Sequence, residues 1–85
     1  MKFHHSEIEI DEGDAICVSL DGNEGTVMVM DDLNFCRYRN GSPFEFAGGR
    51  HGQSPAIIRP PKGGHWNVVV EGYSGEVEAA VTVLR

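Results

Sequence analysis

The clearest alternation of apolar and other residues is found in residues 65–83, which read HWNVVVEGYSGEVEAAVTV. Trp66, Val68 and Val70 occupy every second position, so on an extended chain their side chains point to one face. A turn with two glycines follows at residues 71–75, and the alternation then resumes. The apolar positions of this second run are Val77, Ala79, Val81 and Val83. The stretch therefore predicts a hairpin of two antiparallel strands, each with an apolar face to bury.

The same period-two pattern continues in the earlier part of the chain. Residues 16–20 and 26–30 alternate on either side of a turn rich in Gly, Asp and Asn, which predicts another hairpin. Shorter strands are predicted at residues 6–10, 44–46 and 56–59, and the last of these is ended by two prolines. Strands therefore account for most of the predicted structure.

About seven or eight such strands, spaced roughly ten residues apart, are typical of two packed antiparallel sheets. We therefore predict an all-β fold, an antiparallel β-sandwich of jelly-roll type, formed as a single domain by residues 1–85. At most one short helical turn is expected, at residues 32–38, because this segment contains neither Gly nor Pro and Asp32 can cap it.

The charge of the chain narrows the classes of partner. There are 13 acidic residues against 7 Lys and Arg, a net charge of −6, which argues against nucleic acid or an anionic membrane as partner. Residues 3–32 hold nine acids and no Lys or Arg, whereas residues 33–66 hold five Lys and Arg against Glu45 alone. Two interpretations stay open: the two regions neutralise each other in the fold, or the basic segment forms a cationic surface.

Three features of the sequence favour a cytoplasmic domain. The first residues, MKFHHSE, lack the apolar run of a secretory signal, and no stretch is long and apolar enough to span a membrane. Cys17 and Cys36 can form at most one disulfide and belong to no CxxC motif, so reduced thiols are expected. The four histidines show neither HxH nor HExxH spacing, so neither a metal nor a cofactor is predicted.

The central segment of the chain mixes polar, aromatic and glycine residues. Its notable positions are Asp32, Asn34, Phe35, Tyr38 and Gly41, then Gly48-Gly49, Ser54-Pro55 and Gly64-His65-Trp66. With these residues the chain resembles, over nearly its whole length, a bacterial family of domains of unknown function, the family numbered eighteen eighty-three. The resemblance implies a compact β-sandwich that occurs alone or attached to signalling modules such as Toll/interleukin-receptor-like domains. It implies no established activity.

The first functional hypothesis is a binding or sensing module without enzymatic activity. Because the central segment is basic and aromatic, we expect loops there to hold an anionic small molecule or an acidic partner. The candidate ligand-binding residues are Asp32, Asn34, Arg37, Tyr38, Arg39, Arg50, Ser54 and His65. If Trp66 points into the core, as expected, His65 points away from it.

Two further hypotheses come from other classes of protein. A core built from only 85 residues is thin, which favours a structural role in which strand edges or apolar faces form a homodimer. A small hydrolase would use Asp32, Ser54 and His65, but no nucleophile elbow surrounds Ser54, and Pro55 indicates a structural turn. No catalytic residue is therefore assigned. Convergence of the candidate residues on one cavity would favour the binding hypothesis.

Overall fold

A computed structural model of the chain describes residues 3–21, 25–51, 55–72 and 78–84. Within these ranges it contains seven strands and one helix. In chain order they are β1 (His4–Ile10), β2 (Ala15–Asp21), β3 (Gly25–Met30), α1 (Asp32–Arg39), β4 (Ala47–His51), β5 (Ala56–Ile58), β6 (Gly64–Gly72) and β7 (Glu78–Leu84). None of the helical structure in the described ranges is long and apolar enough to cross a membrane.

The strands form two antiparallel sheets, a first sheet in the order β1-β6-β3-β4 and a second sheet in the order β5-β2-β7. Their facing sides enclose the main core, in which Val27 and Val68 of the first sheet pack with Ile16 and Val18 of the second. Trp66 belongs to the same core and is only 7% exposed. The predicted all-β sandwich and the buried position of Trp66 are therefore confirmed.

Both predicted hairpins are wrong. Strand β2 pairs with β5 and β7, whereas β3 pairs with β4 and β6, so these consecutive strands belong to different sheets. The same is true of β6 and β7. An alternating strand needs a layer that covers its apolar face, and the opposite sheet supplies that layer whichever strand lies beside it. The connecting residues 22–24 and 73–77 lie outside the described residues.

Helix α1 covers the outer face of the first sheet and gives β3 and β6 a second buried side. This second cluster joins Met28, Met30 and Val69 of the sheet to Phe35, Tyr38 and Phe44. Burial on both faces explains why residues 27–30 form an unbroken apolar run. Residues 44–46 were predicted as a strand, but they form a loop before β4 through which Phe44 reaches the helix layer.

The helix begins with Asp31 as its cap, so the prediction that Asp32 caps it is wrong by one residue. The Asp31 carboxylate accepts a hydrogen bond of 2.8 Å from the backbone N–H of Asn34, which keeps the pKa of Asp31 below its ordinary value. The helix spans eight residues, about two turns, rather than one short turn. Beyond it, Gly41 has a φ of 74°, a left-handed conformation that favours glycine.

Candidate functional site

One face of α1 lines an open cleft on the outer side of the first sheet. Asp32, Phe35, Cys36 and Arg39 follow the three- and four-residue spacing that places side chains on one helix face, and all four line the cleft. The other lining residues are Glu7, Asn40 and Asn67. The cleft has a volume of about 530 Å³. Since a helix rises about 1.5 Å per residue, the backbone positions of the oppositely charged Asp32 and Arg39 lie about 10 Å apart along the helix axis.

Phe35 lies between Asp32 and Arg39 on the helix face, and its ring contacts both His5 and Arg39. The imidazole of His5 stacks on the Phe35 ring with 4.0 Å between the ring centroids. The guanidinium carbon of Arg39 lies 5.9 Å from the centroid of the same ring, a distance that allows cation–π attraction. The positive end of the cleft is therefore held over an aromatic surface.

Asn67 fixes the negative end of the cleft. It is a buried polar residue, 1% exposed, and its amide nitrogen donates a hydrogen bond of 2.7 Å to an Asp32 carboxylate oxygen. Its amide oxygen accepts from Nε2 of His5 at 2.9 Å, because an amide oxygen can only accept. A buried hydrogen-bonded amide of this kind holds its partners in one geometry. The cross-strand network therefore presets the position of the Asp32 carboxylate.

His65 lies beside the negative end and faces outward, as predicted from the burial of Trp66. Its Nε2 is 3.2 Å from Glu7 and 3.5 Å from Asp32, and its Nδ1 is 3.4 Å from Glu9. Desolvation by neighbouring groups lowers the pKa of His65, but the hydrogen bond to Glu9 and the negative charges of Asp32 and Glu7 outweigh it. The pKa of His65 is therefore raised above its ordinary value.

The grouping of Glu7, Asp32 and His65 also resembles a cation site. Each residue offers one ligand atom, and these atoms lie within 4.8 Å of one another. However, the imidazole itself stands between the carboxylates and hydrogen-bonds to Glu7 and Glu9, so a proton on His65 offsets part of their negative charge. We interpret the group as an ion-pair network that joins β1, β6 and α1.

Tyr38, a candidate ligand-binding residue, instead anchors the helix to the sheet. Its hydroxyl donates a hydrogen bond of 2.6 Å to the Glu71 carboxylate on β6. Partial burial, followed by the hydrogen bond and the negative charge of Glu71, raises the pKa of Tyr38 above its ordinary value. The ring also packs edge-on against Phe44, 5.2 Å between centroids. We therefore assign Tyr38 a structural role.

Tyr38→Phe is expected to destabilise the domain by about 1–2 kcal/mol, because the half-buried Glu71 carboxylate loses a charge-assisted hydrogen bond while the ring contacts remain. Urea unfolding of both proteins measures the difference in the free energy of unfolding. Arg37→Gln, at an exposed position of the same helix, is the control and is expected to change it little. Equal stability of Tyr38→Phe and the wild type would contradict the structural role.

Asn34 faces a second, smaller cavity on the other side of α1. Its amide nitrogen donates to the Asp31 carboxylate at 2.9 Å, and its amide oxygen accepts from the backbone N–H of Glu45 at 2.9 Å. This cavity has a volume of about 280 Å³, and Trp66 and Lys62 contribute to its lining. Asn34 therefore connects the helix start to the following loop, and it does not share the cleft with Asp32.

The remaining candidate residues are Arg37, Arg50 and Ser54. Arg37 is exposed on α1 outside the cleft lining. Arg50 lies in β4 opposite Thr26, and its side chain lies outside the described part of the chain. Ser54 lies outside the described residues, so the structure does not test the proposed hydrolase set. Of the eight candidates, Asp32 and Arg39 meet in one cleft and His65 borders it.

Sequence reasoning missed three residues that line the cleft on or beside α1, Phe35, Cys36 and Asn40. It also missed three that the strands bring to this region: His5, Glu7 and Asn67. Antiparallel pairing of β1 with β6 places Glu7 opposite Asn67 and His5 opposite Val69, so these side chains share one face. The only local signal was Asn67, a polar residue inside the apolar run that follows Trp66. The sequence shows that Asn67 is polar, but its hydrogen-bond partners depend on the register of β1 on β6, which the sequence does not show.

Comparison with known proteins gives one match. The family model described as Domain of unknown function (DUF1883) matches residues 1–85. No curated protein and no solved structure matches the chain. The family description adds no ligand or reaction, so the chemistry of the cleft is what bears on function.

Proposed function

Because this chain belongs to the DUF1883 family, whose function is unknown, we propose a function from its own cleft: a non-enzymatic module that binds a small dipolar ligand. By dipolar we mean a molecule with one positively and one negatively charged group. Its positive group lies at Glu7 and Asp32, its negative group at Arg39, and its apolar part against the portion of the Phe35 ring that His5 leaves uncovered. This ligand class differs from the anionic small molecule or acidic partner expected from the basic central segment.

The observation that carries this proposal is the placement of opposite charges at the two ends of one helix face. Asp32 and Arg39 line the same cleft, and the ring of Phe35 lies between them in the helix spacing. A purely anionic ligand would be attracted by the Arg39 guanidinium but repelled by Glu7 and Asp32. A purely cationic ligand would be attracted by the two carboxylates but repelled by Arg39. A dipolar ligand satisfies both ends.

The state of His65 supports binding rather than catalysis. A general base must accept a proton in its reactive state, yet both nitrogens of His65 are directed at carboxylates. Asp32 is likewise held by the buried Asn67 amide at 2.7 Å. These contacts favour a preset binding surface.

Heteronuclear NMR titration with ω-aminohexanoate tests the proposal, because this probe carries an ammonium and a carboxylate on a flexible apolar chain. We expect resonances of Glu7, Phe35 and Arg39 to shift in a saturable manner. Hexanoate and hexylamine, which each keep one of the two charges, should bind several-fold more weakly. Ile57 on the second sheet is the internal control. An absence of shifts at the cleft residues would contradict the proposal.

A second candidate function, homo-oligomerisation, is supported by the outer face of the second sheet. The cross-strand rows there place Cys17 between Ile57 and Thr82, and Ser19 opposite Ala80. Ile57 is 55% exposed. These two rows carry no charge, whereas the next row of the same register pairs Asp21 with Glu78. Two copies of a chain with net charge −6 would therefore meet at the end of the face that holds Ile57, away from these two acidic residues.

Light scattering of Ile57→Lys beside the wild type tests this second candidate. If the face joins two copies, the wild type has a dimeric mass and Ile57→Lys, which places opposed charges in the interface, has a monomeric one. Leu33→Lys is the matched control, because Leu33 is 59% exposed on the helix and far from this face in the sheet order. A monomeric wild type at tens of micromolar would contradict the candidate.

A further inference from the structure

His65 lies where three elements of the fold meet. Its imidazole, on β6, faces Glu7 and Glu9 on β1 and Asp32 in the first turn of α1. Two of these carboxylates, Glu7 and Asp32, also line the cleft. The imidazole and the positive group of a ligand would therefore approach the same carboxylates from neighbouring positions.

We infer that a proton on His65 competes with the ligand's positive group for Glu7 and Asp32, so that ligand affinity rises as the pH increases. This inference rests on the proposed function, because it describes how that same cleft is regulated. A protonated imidazolium neutralises part of the negative charge that attracts the ligand. A neutral imidazole restores that charge and gives up one of its two N–H donors.

The groups around the His65 imidazole determine whether ligand affinity rises or falls with pH. The charged groups that face it from β1 and α1 are all acidic, namely Glu7, Glu9 and Asp32. They raise the pKa of His65, which brings its change of charge towards neutral pH. His5 is the other imidazole of this region, but its Nε2 bonds to Asn67 rather than to a carboxylate.

The expected size of the effect follows from proton linkage. A positive group that contacts Glu7 and Asp32 lowers the pKa of His65, so binding releases a proton at pH values between the pKa of the bound form and the pKa of the free form. Each unit of difference between the free and bound pKa corresponds to a tenfold change in affinity. We therefore expect affinity for ω-aminohexanoate to increase about three- to tenfold between about pH 6 and about pH 8.5, where neither charge of the probe changes.

Calorimetric titration of the whole domain with ω-aminohexanoate at these two pH values tests the inference. The wild type is expected to bind more tightly at the higher pH, and His65→Gln, which cannot take up a proton, is expected to bind with the same affinity at both. His5→Gln is the matched control and is expected to keep the pH dependence. In NMR, saturating probe is expected to lower the pKa of His65.

The possible results separate this inference from the proposed function. No binding at either pH overturns the proposed function, and the inference with it. Binding with equal affinity at both pH values overturns the inference alone. A pH dependence that persists in His65→Gln also overturns it, because another group would then be the titrating one. Loss of the pH dependence in His65→Gln but not in His5→Gln supports it.

Discussion

Gly48→Ala is expected to destabilise the domain by roughly 3 kcal/mol or more, because both its backbone and its surroundings exclude a side chain. Gly48 has a φ of 111°, in the region that side chains with a Cβ rarely adopt. A Cβ built there would also overlap the carbonyl oxygen of Val27 on the adjacent strand β3. Relief of that overlap would separate β4 from β3, the strand that supports α1.

Thermal and urea unfolding of Gly48→Ala measure this loss, and Gly49→Ala is the matched control. Gly49 also has a positive φ, 146°, but a Cβ built there meets nothing within 4 Å. Its replacement carries only the backbone cost, about 1 kcal/mol. We expect Gly48→Ala to have the clearly lower free energy of unfolding of the two variants. Equal stability of the two variants would show that the close approach to β3 is unimportant.

Asp32→Asn is expected to weaken binding of ω-aminohexanoate about tenfold or more, which corresponds to about 1.4 kcal/mol. The substitution removes the charge that attracts the ammonium group. An amide oxygen at this position can still accept the hydrogen bond that the Asn67 amide donates to Asp32 at 2.7 Å. The loss should therefore affect binding much more than folding, as urea unfolding of the variant would verify.

Arg37→Gln and Arg39→Gln form a matched pair for the other end of the cleft. Both arginines are exposed on α1, but only Arg39 lines the cleft beside Phe35. Arg39→Gln is expected to weaken binding about fivefold, whereas Arg37→Gln is expected to stay within about twofold of the wild type. Calorimetry gives both affinities. A similar loss in both variants would indicate a general charge effect rather than a contact at the cleft.

Six of the seven strands were predictable from the sequence, but their partners were not. The exception is β4, in which Gly48 and Gly49 interrupt the alternating pattern. Period-two alternation in residues 66–70 gives the buried face of β6, because that face depends only on the positions of Trp66 and the valines. It does not reveal whether β7 lies beside β6 or in the opposite sheet, since either arrangement buries the same side chains. Both hairpin predictions failed for this reason.

The candidate site was predictable only where the spacing of residues along one helix or one strand determines it. Asp32 and Arg39 share a face because they are seven residues apart, and His65 points outward because Trp66 points inward. Asn34 lies two positions after Asp32, about 200° around the helix axis, and so reaches a different cavity. Glu7 and Asn67 lie side by side in the cleft because of the register in which β1 pairs with β6, and no local sequence pattern specifies that register.

The most direct test of the cleft is the orientation of a bound dipolar probe. Intermolecular nuclear Overhauser effects between ω-aminohexanoate and the domain can give it. We expect the methylene beside the ammonium to contact Asp32 and Glu7, the central methylenes to contact the Phe35 ring, and the methylene beside the carboxylate to contact Arg39. The reverse orientation, or contacts that lie only elsewhere on the domain, would contradict binding of a dipolar ligand in this cleft.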